Sequence, residues 1–238
     1  MDKEGTHRNI YIDVWADNKD CSKEDKENCP NDADLCLVSS GDNTVSFHAP
    51  FMIAAGKRPE RKIICSSEVG LFISSIRPIA PTFYGKMQPG GTKDFGFAKI
   101  SMVHAEATSV CQRPDGRLTT GGMGVGYVIN IPDHNLTIYH SGITNVFRDM
   151  QLIDDLHKPN IAIIPIGDDR GMSPRVAAYA TKNFLKTPTT IIPMYFSTLP
   201  GFKNGTVENY QKECEAIGVE GKTILNPKDL LSGKAIIE

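Results

Sequence analysis

The chain has 238 residues, of which 40% are hydrophobic and 23% are charged, and this composition suits one globular domain with a sizeable core or at most two small ones. The formal net charge of −2 excludes a strong electrostatic basis for binding nucleic acid or an anionic membrane. No apolar run in the sequence is long enough to cross a bilayer.

The N-terminus and the cysteines together predict a cytoplasmic protein. The segment "MDKEGTHRN" lacks the apolar centre of a signal peptide, and its acidic residues argue against a transit peptide. Six cysteines occur without any Cys-x-x-Cys pair, so the spacing of a zinc ribbon is absent. Cys21 and Cys29 flank a charged loop and could pair under oxidation, although free thiols in a reducing cytosol are the favoured interpretation.

The first third of the chain contains apolar runs separated by polar segments. "NIYIDVW" (9–15) alternates in polarity and predicts a strand, and a polar surface loop follows at 16–32. Continuous apolar runs at 33–39 and 62–66 are typical of strands buried on both faces. A helix is predicted directly after the second of these runs, at 67–76, where a serine can cap it.

The middle of the chain is predicted to form antiparallel hairpins. Beyond Pro81, Gly-Gly and Phe-Gly turns separate short alternating runs, which is the pattern of a β meander. The tetrapeptide "PDHN" (132–135) predicts a turn between two further strands. "GGMGVG" (121–126) superficially resembles a phosphate-binding loop, but it opens no helix and no Gly-Lys-Ser/Thr follows. We therefore interpret it as a flexible loop and expect no nucleotide site.

The last third returns to alternating helices and strands. Ser173 followed by Pro174 is a strong helix start, because serine caps the first turn and proline suits the first helical position. The predicted elements are helices at 144–157, 173–186 and 206–218 and strands at 160–167, 189–195 and 221–226. This alternation at both ends, with hairpins between, predicts an α/β protein of two mixed sheets packed face to face with helices outside.

Several segments occur together and in the order of a known family: "IYIDVW", "ADLCLVSSGDN", "GGTKDFGFAKISMV", "GYVINI", "LTIYHSGITNVFRDMQLIDDLHKPNIAIIPIG", "MSPRVAAYATKNFL" and "TTIIPMYFSTLP". With them the chain resembles the metallo-β-lactamase superfamily, and within it the metal-dependent hydrolases related to ascorbate-6-phosphate lactonase. The resemblance begins near residue 9 and is strongest from 126 to 200. It implies a single four-layer αββα sandwich domain over residues 1–238.

The resemblance also implies an exposed sheet edge. About nine residues precede "IYIDVW", where family members carry a strand pair, so we expect this chain to lack that pair. An uncovered edge strand invites pairing with another chain. We therefore expect a homo-oligomer or a subunit of a protein complex.

The family's metal centre, which normally holds zinc or manganese, is altered at every ligand position. The residues now at those positions are Ser40, Asp42, Thr44, Val45, Ala107, Ile143 and Tyr195. A short shift would bring His104 to the place of Ala107. Zinc requires three or four nitrogen, sulfur or carboxylate donors, and Asp42 is the one competent donor among the seven. Without a metal to activate water the family's mechanism has no nucleophile, so we expect no metal cofactor and no hydrolysis.

Polar side chains nonetheless remain around the presumed cleft. They are Asp13, Asp42, His104, His140, Asp168, Asp169, Arg170 and Tyr195. We interpret the chain as a metal-free, non-catalytic protein of this fold with a binding, regulatory or structural-subunit role. The vacated cleft leaves space for a small-molecule ligand. The plainer interpretation of Asp13 is that it anchors the turn after its strand, and that of "GDDRG" (167–171) is a solvated turn.

Two enzymatic alternatives stay open. The first is a hydrolase of the lactone or phosphoester class with a relocated metal, held by Asp42, His104, His140 and Asp168. The second is a metal-free acid–base enzyme in which His140 works with Asp168 or Asp42, since a general base must reach the proton that it removes. Metal content and a measured turnover distinguish both alternatives from the non-catalytic interpretation.

Overall fold

The structure of the protein is a computed structural model, which describes residues 5–14, 33–42, 62–76, 84–113, 115–197 and 205–231. The predicted polar loop at 16–32 and the former ligand positions Thr44 and Val45 lie outside the described residues. Within the described part of the chain, no helix is long and apolar enough to cross a membrane.

The smaller of two sheets is built from four short strands. They are β1 (Ile10–Ile12), β2 (Leu35–Leu37), β3 (Lys62–Ser66) and β4 (Tyr84–Met87). They pair in that order and all in parallel, so β1 lies at an edge of the described sheet. The inner strands β2 and β3 are buried on both faces, which explains their continuous apolar sequences. Among the described residues, the antiparallel hairpins belong to the other sheet.

The larger sheet is mixed. Its described strands are β5 (Thr92–Asp94), β6 (Lys99–Gln112), β7 (Leu118–Ile131), β8 (Leu136–His140), β9 (Ile161–Pro165), β10 (Thr190–Met194) and β11 (Thr223–Ile224). They lie side by side in sequence order. The strands from β5 to β8 pair antiparallel, as the predicted meander requires, and those from β8 to β11 pair in parallel. The pairing therefore changes at β8, which ends at His140.

Helices cover the outer face of each sheet. Those of the described residues are α1 (Ser67–Ile76), α2 (Met150–His157), α3 (Pro174–Asn183), α4 (Val207–Ile217) and α5 (Pro227–Leu231), and a 3-10 turn lies at Pro132–His134. The predicted start of α3 is confirmed, because Ser173 accepts a hydrogen bond from the backbone N–H of Val176. The predicted "PDHN" turn is also confirmed, with Asn135 in the left-handed conformation that closes it.

The two sheets pack face to face around a buried apolar layer. Leu37 and Ile64 of the smaller sheet share a cluster with Met102 and Tyr127 of the larger one. The hydroxyl of Tyr127 donates to the backbone oxygen of Val38 at 2.7 Å and so links the two sheets inside this layer. With helices outside both sheets, the expected αββα sandwich is confirmed.

The helix predicted from residue 144 begins only at Met150. Its expected first turn is extended, because side chains bond the backbone there. The hydroxyl of Thr144 donates to the backbone oxygen of Asn145 at 2.8 Å, and the side-chain oxygen of Asn145 accepts from the N–H of Val146 at 2.8 Å. These local bonds compete with the helical ones.

The prediction of a flexible loop at 121–126 was wrong. These residues lie inside β7 and pair with β6 across an irregular register. A Cβ atom on Gly126 would lie 2.9 Å from the backbone oxygen of His140, so the glycine permits the close approach of β7 and β8. Glycine in a strand interior often marks such a contact.

Candidate functional site

An open cleft of about 480 Å³ lies where strand ends of the two sheets meet. The segments that follow β2, β8 and β9 form most of it, and the second half of β6 forms one side. The described residues that line it are Ser40, Asp42, Glu106, Ala107, Thr108, Val110, Ile143, Thr144, Asn145, Arg170 and Gly171. Loops at the carboxyl ends of parallel strands are where α/β proteins commonly bind ligands.

A salt bridge between the two sheets crosses the cleft. Nη1 of Arg170, in the turn after β9, lies 3.0 Å from Oδ2 of Asp42, in the segment after β2. The two side chains are 56% and 27% exposed, so both remain in contact with solvent. The bond holds the guanidinium at the cleft wall while its other N–H groups stay available to a ligand.

The segment that carries Asp42 is tied to β6. The backbone N–H of Gly41 donates to Oγ of Ser109 at 2.7 Å, and this bond is buried. A Cβ atom on residue 41 would collide with the sulfur of Cys111, so glycine is required for the segment to approach β6 this closely. Asp42 is therefore placed by close backbone packing as well as by its salt bridge.

A second polar group lies in the protein interior around Asp13. The carboxylate of Asp13 accepts three hydrogen bonds: from Ser39 N at 2.8 Å, from Ser39 Oγ at 2.7 Å and from the hydroxyl of Tyr195 at 2.8 Å. It thus joins the ends of β1, β2 and β10. The turn-anchoring role considered for Asp13 agrees with these bonds.

Backbone strain accompanies this buried network. Asp13 and Tyr195 both have a φ of +50°, and Asp168, in the turn after β9, has a φ of +80°. Residues other than glycine seldom adopt this region, and such strain persists where the surrounding structure imposes it, often at functional sites.

Burial governs the ionisation of the network. Burial raises the pKa of Asp13, against opposing effects of His140, Ser39 and Tyr195. Burial lowers the pKa of His140, with Asp13 opposing, so this imidazole is neutral at pH 7. The N–H of Gly142 donates to Nδ1 of His140 at 3.3 Å, which assigns the ring proton to Nε2.

The predicted site residues separate into three groups. Ser40, Asp42, Ala107, Ile143 and Arg170 line the cleft. Asp13, His140 and Tyr195 belong to the buried network, where His140 is only 6% exposed. His104, Asp168 and Asp169 are not among the described residues that line the cleft.

The pairing of His140 with Asp42 or Asp168 is not what the structure shows. Asp42 is bound to Arg170, and the carboxylate that influences His140 is that of Asp13. Nε2 of His104 instead lies 3.2 Å from Oε2 of Glu106, and the histidine ring packs edge-on against Phe147.

Glu106 is a cleft residue that sequence reasoning missed. Its side chain lines the cleft, is 58% exposed and carries the contact from His104. Strand alternation gave no reliable signal for it, because the pairing of β6 with β7 is irregular between His104 and Thr108.

The described residues do not fit the family's pair of metal ions. Ala107 and Ile143 have no donor atom, the hydroxyl of Tyr195 is bound to Asp13, and the carboxylate of Asp42 is bound to Arg170. Within the described ranges, no three His, Cys, Asp or Glu side chains are grouped closely enough to hold a metal ion. The relocated set of Asp42, His104, His140 and Asp168 is not brought together.

Relatives of known sequence extend along nearly the whole chain, although no protein-family model matches it. A UPF0173 metal-dependent hydrolase of Koribacter versatilis is 34% identical over 217 residues, which are 89% of this chain and 86% of the relative. One from Roseiflexus sp. is 31% identical over 231 residues, 96% of this chain and 89% of the relative. One from Solibacter usitatus is 42% identical over 170 residues, 69% of this chain and 71% of the relative.

Solved structures share the fold. The metallo hydrolase Igni18 of Ignicoccus hospitalis is similar with a TM-score of 0.71 and 23% identity, over 92% of this chain and 87% of the other. An isothiocyanate hydrolase from Delia radicum gut bacteria is similar with a TM-score of 0.62 and 16% identity, over 91% of this chain and 88% of the other.

The fold is the one found in Igni18 and in the metallo-β-lactamase fold protein YhfI of Bacillus subtilis, as the sequence resemblance implied. Its sequence relatives place it more narrowly: the chain belongs to the UPF0173 family of metal-dependent hydrolases.

This family membership corrects two expectations. The interpretation as a metal-free, non-catalytic protein was wrong, and so was the expected absence of a metal cofactor. Both were drawn from the loss of the family's ligand residues, whereas relatives that match nearly the whole chain are named metal-dependent hydrolases. The physical reason is that replacing donors at aligned positions excludes one ligand geometry. It does not exclude other donors or another way to activate water.

Proposed function

We propose that the chain is a hydrolase that cleaves a small substrate of the lactone or phosphoester class in the cleft. The observation that carries this proposal is the Asp42–Arg170 salt bridge, which holds a guanidinium at 3.0 Å from its carboxylate in an open cavity at the strand ends. Support also comes from the relatives, which are named hydrolases and match the chain over most of their length.

Arg170 is the residue suited to stabilise negative charge in the reaction. Attack on a carboxylic or phosphoric ester places negative charge on an oxygen in the transition state, and a preorganised donor lowers the barrier. One N–H of the guanidinium is bound by Asp42, and the rest of the planar group can bind that oxygen. Asp42 orients the guanidinium before the substrate arrives.

The network around Asp13 helps to fix the segment that carries Asp42. Asp13 holds Ser39 through both its backbone N–H and its hydroxyl, three residues before Asp42. Ser109 holds Gly41 next to it. A segment fixed at two points loses little entropy when Asp42 binds Arg170, which favours a single arginine orientation.

The relatives' names point to a metal ion, whereas the described donors do not fit the family's pair of ions. Metal content should therefore be measured on full-length protein purified without chelator. One or more equivalents of zinc, manganese or iron, with turnover lost on chelation, would extend the relatives' metal dependence to this chain.

Turnover is to be tested with γ-butyrolactone, 4-nitrophenyl acetate and bis(4-nitrophenyl) phosphate. We expect Arg170→Ala to lower kcat on the order of 10²-fold, the usual loss for one donor to a developing oxyanion. Arg170→Lys should retain part of the rate, because it keeps the charge but not the planar fork. Wild-type protein that hydrolyses none of the three compounds refutes the proposal.

A matched control removes a cation and an ion pair at the start of β6, away from the cleft. Lys99 lies 3.6 Å from Asp94 at the start of β6, roughly 20 Å along the strand from Glu106. Lys99→Ala should leave kcat within twofold. A loss equal to that of Arg170→Ala would show that the effect is not local to the cleft.

A further inference from the structure

The outer half of the β6–β7 hairpin carries an apolar face that is exposed. Val110, Leu118 and Met123 are 45%, 68% and 55% exposed and belong to the large hydrophobic residues that remain exposed in the described part of the chain. Leu118 lies diagonally across the strand pair from Val110, about 7–8 Å away, and Met123 lies on the other side of it across a register shift. Single exposed apolar residues are normal, whereas a group of them commonly marks a binding surface.

The polarity of this half of the hairpin is reversed. Its inward side carries Ser109, Cys111 and Gly121, which are all buried. Small residues are required there, because a Cβ atom on Gly121 would collide with Oγ of Ser109, and the backbone of Gly41 is bonded to that same oxygen. An antiparallel sheet with one solvated face normally has apolar residues inside and polar residues outside. Large apolar side chains on the outer side therefore indicate that an apolar group contacts it.

This apolar face is continuous with the cleft. Val110 lines the cavity itself, and Met123 pairs with Thr108, which also lines it. Four residues of strand, roughly 13 Å, separate Thr108 from the residue that pairs with Leu118. A ligand bound in the cavity can therefore extend along the hairpin without crossing a break in the surface.

We propose that the substrate is a lactone or ester that carries an alkyl chain, and that this chain lies on Val110 and Met123. Selection of the chain rests on the proposed hydrolase function and narrows its substrate class. Arg170 is the donor for the oxygen that becomes negative, and Ala107 and Ile143 add apolar surface to the same cavity. An uncharged ester with an alkyl chain needs a strong donor beside an apolar surface, and the cleft and the hairpin together supply both.

Binding can be measured apart from turnover. The probes are 5-methylpyrrolidin-2-one and 5-hexylpyrrolidin-2-one, lactams that resist hydrolysis under assay conditions and differ only in chain length. Isothermal titration calorimetry on the full chain at pH 7 gives their dissociation constants. We expect the hexyl lactam to bind at least about tenfold more tightly, because the added methylene groups leave water on one side. Its binding should also have the more negative heat-capacity change, which marks apolar burial.

Variants assign the preference to the hairpin. Val110→Thr and Met123→Gln replace exposed side chains by polar ones of similar size, and the double variant should reduce the ratio of the two dissociation constants to about threefold or less. Each single variant should lose part of the preference. Leu156→Gln makes the same kind of change at an exposed residue of α2, away from the cleft lining, and should leave the ratio unchanged.

Three results would overturn the inference. They are equal binding of the two lactams by wild-type protein, a preference that survives in the double variant, and a preference that is lost equally in Leu156→Gln. Light scattering distinguishes a substrate chain from a second copy of the protein on this face. A mass that falls in the double variant, with the lactam ratio unchanged, would assign the face to contacts between copies and would also overturn the inference.

The matching lactones, γ-valerolactone and γ-decalactone, report hydrolysis separately. Tighter binding of the hexyl lactam by a protein that hydrolyses neither these lactones nor the three test compounds would support the inference on the chain and refute the hydrolase proposal. Turnover of the lactones without a difference in lactam binding would do the reverse.

Discussion

The hydroxyl of Tyr195 donates one of the three hydrogen bonds that the buried carboxylate of Asp13 accepts, at 2.8 Å. Tyr195→Phe removes this oxygen and keeps the ring, so packing against the neighbouring apolar cluster is preserved. The carboxylate then retains the two bonds from Ser39. Because Asp13 and Tyr195 are both half-buried, water has restricted access to the position of the lost donor.

The magnitude follows from the charge on the acceptor. A hydrogen bond to an ionised group contributes about 1.5–3 kcal/mol, and one between neutral groups about 0.5–1.5 kcal/mol. We therefore expect Tyr195→Phe to lower the free energy of unfolding by about 1.5–3 kcal/mol at pH values above the folded pKa of Asp13, where its carboxylate is ionised. The loss should shrink toward about 0.5–1.5 kcal/mol as Asp13 becomes protonated.

The pH dependence has a definite sign. The pKa of Asp13 is raised in the folded protein above the model value of 3.8. The folded state therefore holds the proton more tightly than the unfolded state, and ionisation of Asp13 costs stability as the pH rises from 3.8 through the folded pKa. Loss of the hydrogen bond from Tyr195 raises that pKa further. The difference in stability between the wild type and the variant is therefore largest at high pH.

The assay is urea unfolding over a series of pH values from acidic to alkaline, with the slope of each transition compared between variants. Tyr179→Phe is the control, because Tyr179 is 52% exposed on α3 and its change should cost less than about 0.5 kcal/mol. A loss that is the same at every pH, or below about 0.5 kcal/mol at the highest pH, would refute the role assigned to this bond.

Two further predictions concern the cleft segment and the sheet edge. Ser109→Ala leaves the buried N–H of Gly41 without its 2.7 Å acceptor, and we expect urea unfolding to show a loss of about 1–3 kcal/mol. Ser101 lies on the same strand as Ser109, and Ser101→Ala removes its exposed bond to Thr92. This change should lower the free energy of unfolding less, and equal losses for the two variants would contradict the argument. The homo-oligomer stays a prediction supported by the edge position of β1. Light scattering of the full chain should give a mass above the 26.1 kDa of one copy, and a monomer across micromolar concentrations would contradict it.

Local sequence signals were sufficient where short-range interactions decide the structure. The serine and proline at 173 and 174 begin a helix because the cap and the first turn involve neighbouring residues only. The buried strands β3, β9 and β10 follow from continuous apolar runs that need cover on both faces. The order of family motifs likewise sufficed to predict the αββα sandwich.

The predictions that differed from the structure were those that depended on contacts between residues far apart in the sequence. The hydroxyl of Thr144 accepts a bond from the backbone N–H of Glu106, 38 residues away, and this contact adds to the local bonds that keep Thr144 out of the expected helix. The residues at 121–126 lie in a strand that pairs with β6, and a Cβ atom on Gly126 would meet the backbone oxygen of His140 at the end of β8. The conclusion that the chain lacks a metal and catalysis was drawn from seven aligned positions alone, and the relatives along the whole chain overturned it.

By itself, the sequence determined the fold class, the family and which polar residues follow the strands, because hydrophobic period, caps and motif order are properties of neighbouring residues. The tertiary structure decided which of those residues meet. Asp42 and Arg170 are 128 residues apart, and their salt bridge exists because two sheets bring their strand ends together. In the same way, burial beside Asp13 placed His140 in an interior network, and the irregular pairing of β6 with β7 lies where Glu106 reaches the cleft wall.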